Sequence, residues 1–179
     1  MQDLCRTLVR GNQPGCRGLK SGQVHSLWRA AMLTTTIQPR FGDADCLGHV
    51  TRTALALWFE TARNSLLRIF LPDLNFKMES FPLIIAHTDY DFVNELFPQY
   101  EVEIRTWVSH IGNESFTVYH QAWQNGRLCV KGSVVAVHYD FTAKQSTPLP
   151  ADKKKRLKAH LMSAQKNPRP KKKGTADGE

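Results

Sequence analysis

Arg40-Phe41-Gly42-Asp43-Ala44-Asp45-Cys46-Leu47-Gly48-His49-Val50 runs into a long apolar segment, Ala54 to Leu71. Two carboxylates, one imidazole and two glycines share a short polar loop, and the longest helical pattern of the chain follows it. A helix start carries unpaired N–H groups and a partial positive charge, so a loop placed there can hold an anion or polarise a carbonyl. An acid or base delivered to such a place points to chemistry.

Working outward, Leu33 to Phe41 (Leu-Thr-Thr-Thr-Ile-Gln-Pro-Arg-Phe) reads as a strand, rich in β-branched residues, with Pro39 tolerable at an edge or end. After the loop, Leu55, Trp58, Phe59, Ala62, Leu66, Ile69 and Phe70 recur at helical spacing, with Thr51 or Thr53 as N-cap and Pro72 as stop. Leu57 and Leu67 widen the apolar stripe nearly all round, so this helix is expected to be wrapped by other structure. Pro82 to Val93, Tyr100 to His110, Ser115 to Trp123 and Leu128 to Tyr139 read as strands, with turns at Gly112-Asn113 and Asn125-Gly126. Such closely spaced strands favour an antiparallel sheet. A short amphipathic helix is expected over about Asp152 to Met162. The fold class is α+β, one antiparallel sheet curled round one long central helix.

A length of 179 residues suits one domain with a real core, and 41% hydrophobic with 22% charged residues suits a globular protein. The expected division is a disordered extension over 1–31, the domain over 32–163 and a basic flexible tail over 164–179. The net charge of +8 sits at the ends: residues 1–32 carry a net of +4, residues 151–179 a net of +7, and residues 33–150 a net of −3. A basic face on the domain, as nucleic-acid binding would need, is not indicated. Cys5, Cys16, Cys46 and Cys129 form no C-x-x-C pair and read as free thiols in a reducing compartment. No apolar run reaches the length of a membrane span, and no secretory signal is evident. A cytoplasmic location follows as the expectation.

Strand, then D-x-D-x-x-G-H-V (Asp43 to Val50), then F-E-x-A-R (Phe59-Glu60-Thr61-Ala62-Arg63) on a helix resembles the hotdog-fold acyl-CoA thioesterases. The 4-hydroxybenzoyl-CoA thioesterase type, with its Tol-Pal-associated members, is the nearest in pattern. The resemblance extends over about residues 33–150 and includes Gly112-x-x-Ser115-Phe116. It implies a hotdog fold and hydrolysis of an acyl-CoA thioester to a carboxylic acid and free coenzyme A. It implies Asp45 as general base or nucleophile, and the Arg52 backbone N–H as the group that polarises the thioester carbonyl. It also implies a homodimer or homotetramer, with no cofactor apart from the coenzyme A of the substrate. Many members carry Asn-Asn after the His-Val pair, where this chain has Thr51-Arg52.

The residues themselves allow blander roles beside these. Asp45 could be a turn residue, since Asp is common in loops before helices. Asp43 reads as a loop-fixing acceptor that could also raise a neighbouring carboxylate's pKa. His49 could bond the loop, or orient Asp45 and share its proton. Gly48 is a supporting loop residue, and Glu60 and Arg63, one helical turn apart, read as a supporting pair. Cys46 is incidental. His87 and Asp89 share a strand face without further ligand spacing, so no metal site is expected. The rivals are a non-catalytic hotdog protein binding acyl-CoA or an acyl carrier, a dehydratase-like enzyme, and a nucleic-acid or membrane-surface binder working through Lys153-Lys154-Lys155 and Lys171-Lys172-Lys173. Removing residues 1–31 is predicted to leave a cooperative urea transition and the activity in place. Loss of either would make the extension part of the domain.

Overall fold

The computed structural model describes residues 31–73 and 81–162. Residues 1–30, 74–80 and 163–179 lie outside the described residues, and with them the expected extension over 1–31 apart from its last residue, the expected tail over 164–179 and the lysines at 171–173. The elements are β1 (Leu33–Ile37), a single 3-10 turn (Phe41–Asp43), α1 (Arg52–Leu67), β2 (Leu83–Phe92), β3 (Val102–Ile111), β4 (Ser115–Gln124), β5 (Arg127–Asp140), β6 (Gln145–Ser146) and α2 (Ala151–Lys158). The strands form one antiparallel sheet in the order β1-β3-β4-β5-β2, with β6 paired to the end of β5. Because β1 and β2 lie at opposite edges, α1 has to cross the sheet between them. The expected α+β architecture, a sheet wrapped on one long helix, is the observed one.

Boundaries shift for local reasons. β1 stops at Ile37, two residues before Pro39, whose missing N–H cannot continue a ladder. Thr51 is the N-cap of α1, its hydroxyl accepting from the Ala54 N–H at 3.1 Å. Regular helix ends at Leu67, ahead of Pro72, because the chain tightens into i→i−3 turns from Ile69 to Leu66 and from Phe70 to Leu67. That tightening turns Ile69, Phe70 and Leu71 inward, where all three are buried. The β4–β5 hairpin turns on Asn125 and Gly126, with φ of 50° and 73°, the left-handed values that an Asn-Gly turn adopts at low cost. The C-terminal helix is shorter than expected, since Ala159 to Leu161 close in turns and Leu161 pairs with Val108.

The buried stripe of α1 packs on alternate residues of the central strands. Near its start, Ala54, Leu55, Trp58, Phe59 and Ala62 meet Val102, Ile104, Ala122 and Val130; near its end, Leu66 meets Val108, Phe116, Val118 and Ala136, closed by Leu149 and by Leu157 of α2. In the middle, Phe59 lies on the sheet at Gly132, where a Cβ would stand 2.7 Å from the ring. The same ring stacks on His120 at 4.7 Å and 17°.

His120 is fully buried, its Nδ1 sharing a 2.9 Å hydrogen bond with the Thr106 hydroxyl. Burial first, and the Arg63 charge second, push its pKa down from 6.5 to about 3. Native His120 therefore stays neutral, while the unfolded chain takes up a proton below pH 6.5. Stability contributed by this group is complete above pH 6.5 and declines as pH falls towards 3. Urea titrations at pH 7 and pH 4 should show a loss of about 3 kcal/mol in wild type beyond that in His120→Gln. Equal losses in the two proteins would mean that His120 titrates normally.

Candidate active site

Backbone hydrogen bonds make the motif loop a closed unit. The Asp45 N–H donates to the His49 carbonyl at 2.8 Å, the Gly48 N–H returns to the Asp45 carbonyl at 3.1 Å, and Thr51 N–H donates to the Asp43 carbonyl at 2.8 Å. Ala44 and Val50 pair across the base of the turn. Gly48 holds φ at +80°, a left-handed conformation that a side chain would strain. The loop is thus set against the start of α1 by its own main chain.

Both aspartates serve it as acceptors. Asp43 Oδ2 takes the Arg40 N–H at 2.7 Å. Asp45 Oδ1 takes two N–H groups, from Leu47 at 2.9 Å and from His49 at 3.0 Å. The His49 N–H foremost, with that of Leu47 behind it, holds the Asp45 carboxyl below the usual aspartate range, although its side chain is exposed. Both of these bonds fall on Oδ1, with the Gly48 N–H a weaker influence on the carboxyl. Oδ2 takes neither bond, and the exposed carboxyl is open to a reactant.

The His49 imidazole does not turn to the Asp45 side chain. Its Nε2 is 3.7 Å from Glu95 Oε1, and its ring tilts on Phe97 at 5.4 Å. The main-chain N–H of His49 is what hydrogen-bonds Asp45, while the ring acts on that carboxyl through its charge. Glu95 and Phe97 sit on the β2–β3 connection, which Gln124 holds in place. The buried Gln124 amide accepts from the Phe97 N–H at 2.9 Å and donates to the carbonyls of Phe97 and Tyr100 at 2.8 and 3.0 Å. The Val50 N–H donates to the Leu96 carbonyl at 2.9 Å and ties that connection to the motif loop. Sequence reading missed Glu95, Phe97 and Gln124, and no motif or spacing marks them.

Arg52 is the first residue of α1 and Thr53 the second, so their N–H groups have no intrahelical acceptor, while that of Ala54 is taken by Thr51. They present the positive end of the helix beside the loop. Asp43, Asp45, Gly48, His49 and Arg52 are therefore brought together. Glu60 and Arg63 stand further along α1, 3.6 Å apart, with Glu60 in solvent and Arg63 buried. The Arg63 charge acts on His120 and Tyr90 in the interior, and its Nε has no hydrogen-bond partner there. His87 and Asp89 face each other at 3.4 Å, but no group of three His, Cys, Asp or Glu among the described residues could hold a metal ion. Cys46 is an exposed free thiol and Cys129 a buried one. No helix among the described residues is long and apolar enough to cross a membrane.

An acidic loop tied to the N-terminus of a helix that crosses an antiparallel sheet is the arrangement of a hotdog-fold thioesterase. The chain belongs to the thioesterase-like superfamily, whose family model matches residues 39–157. Among solved structures, one described as a predicted thioesterase from Bacillus stearothermophilus is 34% identical over 74% of this chain and 98% of its own, with a TM-score of 0.71. A thioesterase from Thermus thermophilus, complexed with coenzyme A and Zn, is 25% identical over 71% of this chain and 92% of its own, with a TM-score of 0.63. A mutant 4-hydroxybenzoyl-CoA thioesterase complexed with 4-hydroxybenzoyl-CoA shares the fold at 18% identity, over 70% of this chain and 98% of its own, with a TM-score of 0.60. No curated protein matches the sequence at a significant level.

Proposed function

We propose that the protein is an acyl-CoA thioesterase, releasing a carboxylic acid and free coenzyme A from a thioester and water. The observation that carries this reading is the Asp45 carboxylate, tethered through one oxygen and open at the other, beside the unpaired N–H groups at the start of α1. Asp45 Oδ2 either takes a proton from the attacking water, or attacks the carbonyl carbon itself and forms a mixed anhydride that water then hydrolyses to the carboxylic acid and free Asp45. In both routes the C–S bond breaks and the departing thiolate receives the proton that the water gives up. The Arg52 N–H receives the negative charge that builds on the carbonyl oxygen. Asp45 is exposed and ionised at neutral pH, as both roles require, and its backbone N–H partners favour that charged form. His49 contributes through its backbone N–H, and Arg63, on the buried face of α1, is a supporting residue with Glu60. Coenzyme A enters as part of the substrate, and the reaction needs no separate cofactor. The exposed free thiol of Cys46 supports a reducing, cytoplasmic setting.

The reading includes a homodimer or homotetramer. β2 is bonded to β5 on one side only, and Ile85, Phe92 and Val93 on or beside it are about half exposed. Such an edge is ordinarily paired or protected. Light scattering should give a mass of two or four chains. A stable, active monomer at sub-micromolar concentration would contradict the oligomer.

Asp45→Asn retains an oxygen for the Leu47 and His49 N–H groups but removes the charge. Thiol release at saturating acyl-CoA should fall by a factor on the order of 10² to 10⁴, with little change in melting temperature. Asp43→Ala, which removes the acceptor of the Arg40 N–H altogether, should lower stability and activity together. A folded Asp45→Asn within a few-fold of wild type would take Asp45 out of the chemistry.

A further inference from the structure

The face of β2 turned away from α1 carries His87, Asp89 and Asp91, opposite Val135, Ser133 and Lys131 of β5. Gly132 meets the Phe59 ring of α1, so its neighbours Lys131 and Ser133 point the other way. His87 reaches this face through a bulge: Ile85 stands opposite Ala136, and His87, not Ala86, stands opposite Val135. Asp89 is held by Ser133, whose N–H donates to Oδ1 at 3.1 Å and whose hydroxyl donates to Oδ2 at 2.6 Å. His87 Nε2 lies 3.4 Å from Asp89 Oδ2, and both side chains are more than half exposed. Ligands about 2.1 Å from a tetrahedral zinc ion stand about 3.4 Å from one another, so this pair has the spacing of two ligands on one ion. Asp91 instead answers Lys131, whose charged form it favours.

One chain supplies only these two ligands, and β2 is the sheet edge assigned above to a partner subunit. A two-fold axis normal to the sheet keeps each face on its own side, so only residues of the same face stand opposite each other across it. β2 spans Leu83–Phe92, and an axis that pairs nearly its whole length passes through its centre. With Thr88 on that axis, His87 faces Asp89 of the partner subunit and Asp89 faces the partner's His87. The four Cβ positions then mark a rectangle of about 5 by 7 Å on one face, within reach of a single ion. We propose that this edge, paired with a second copy of the chain, binds a Zn²⁺ ion through the His87 imidazole and Asp89 carboxylate of each subunit. The site rests on the oligomer included in the thioesterase reading and adds a metal to it. Two carboxylates brought together across the axis repel, and the charge of the ion offsets them. Ser133 keeps each carboxylate aimed, as the outer hydrogen-bond partner of a metal ligand does. The ion fastens sheet to sheet and takes no part in hydrolysis.

The test is sedimentation of the untagged full-length chain over a range of concentrations, in EDTA, in Zn²⁺ and in Mg²⁺. Zn²⁺ should tighten the dissociation constant of the dimer by about tenfold or more over its value in EDTA. Mg²⁺, which prefers oxygen ligands in an octahedron, should leave it unchanged. Co²⁺ should bind at one ion per two chains, with the visible spectrum of a tetrahedral site. His87→Ala and Asp89→Asn should lose both metal responses while keeping the wild-type dissociation constant in EDTA. Both positions are exposed, and Asp89→Asn retains an oxygen for the Ser133 N–H. A dimer indifferent to Zn²⁺, or tightened equally by Mg²⁺ or in the two variants, overturns the site and leaves the oligomer standing. A monomer in every buffer overturns the oligomer and the site with it. Thiol release from acyl-CoA is read separately in EDTA, so the thioesterase reading stands or falls on its own.

Discussion

Phe59 reaches the backbone of β5 because Gly132 has no side chain, and the depth of α1 above the sheet is set by that contact. A Cβ at Gly132 would stand 2.7 Å from the ring and 3.0 Å from the Asp89 carbonyl oxygen, so neither strand could yield without breaking the β2–β5 ladder. Interiors this dense transmit such a displacement instead of absorbing it. The start of α1 lies two turns before Phe59, so the height of the Arg52 and Thr53 N–H groups is inherited from it. His120 beneath the ring and Arg63 one turn further on belong to the same contact. The His120 imidazole stays neutral there because burial and the Arg63 charge both disfavour its protonated form.

The acidity of the motif loop is largely spent on its own architecture. Each of its two aspartates commits one carboxylate oxygen to backbone N–H groups, and the turn at Gly48 closes the loop without side-chain help from elsewhere. A carboxylate held in this way is ionised and oriented before substrate arrives. Pre-orientation of that kind removes a reorganisation cost from the reaction. The outer wall of the site comes from the β2–β3 connection, held by the buried Gln124 amide, by Val50 N–H on the Leu96 carbonyl and by Val93 and Asn94 on β5.

The basic charge of α2 is kept apart from this centre. α2 carries Lys153, Lys154, Lys155, Arg156 and Lys158, and its one buried residue, Leu157, packs beside Leu66, Ile69 and Phe70 at the far end of α1. Sixteen helical residues, about 24 Å at 1.5 Å each, separate that end from the motif loop. At that range surface charges are largely screened in physiological salt. The basic helix therefore leaves the electrostatics of the loop to nearer groups: its own amides and carboxylates, His49 with Glu95, and the helix dipole.

Short-range pattern alone determined much of this protein. The period-2 runs, the Asn-Gly turn, the Thr51 cap and the apolar period of Ala54 to Leu71 are each written within a few consecutive residues, and so were readable as strands, hairpin and buried helix. The motif loop was legible for the same reason: Asp43, Asp45, Gly48 and His49 act on one another's backbone within one turn. Where the His49 ring points was decided by Glu95 and Phe97, which arrive from a connection without any motif. Whether Arg63 faced solvent or core was decided by the sheet beneath it, since its spacing to Glu60 suits a surface pair equally well. Contacts between segments far apart in the chain depend on strand order and helix depth, and no local spacing encodes either.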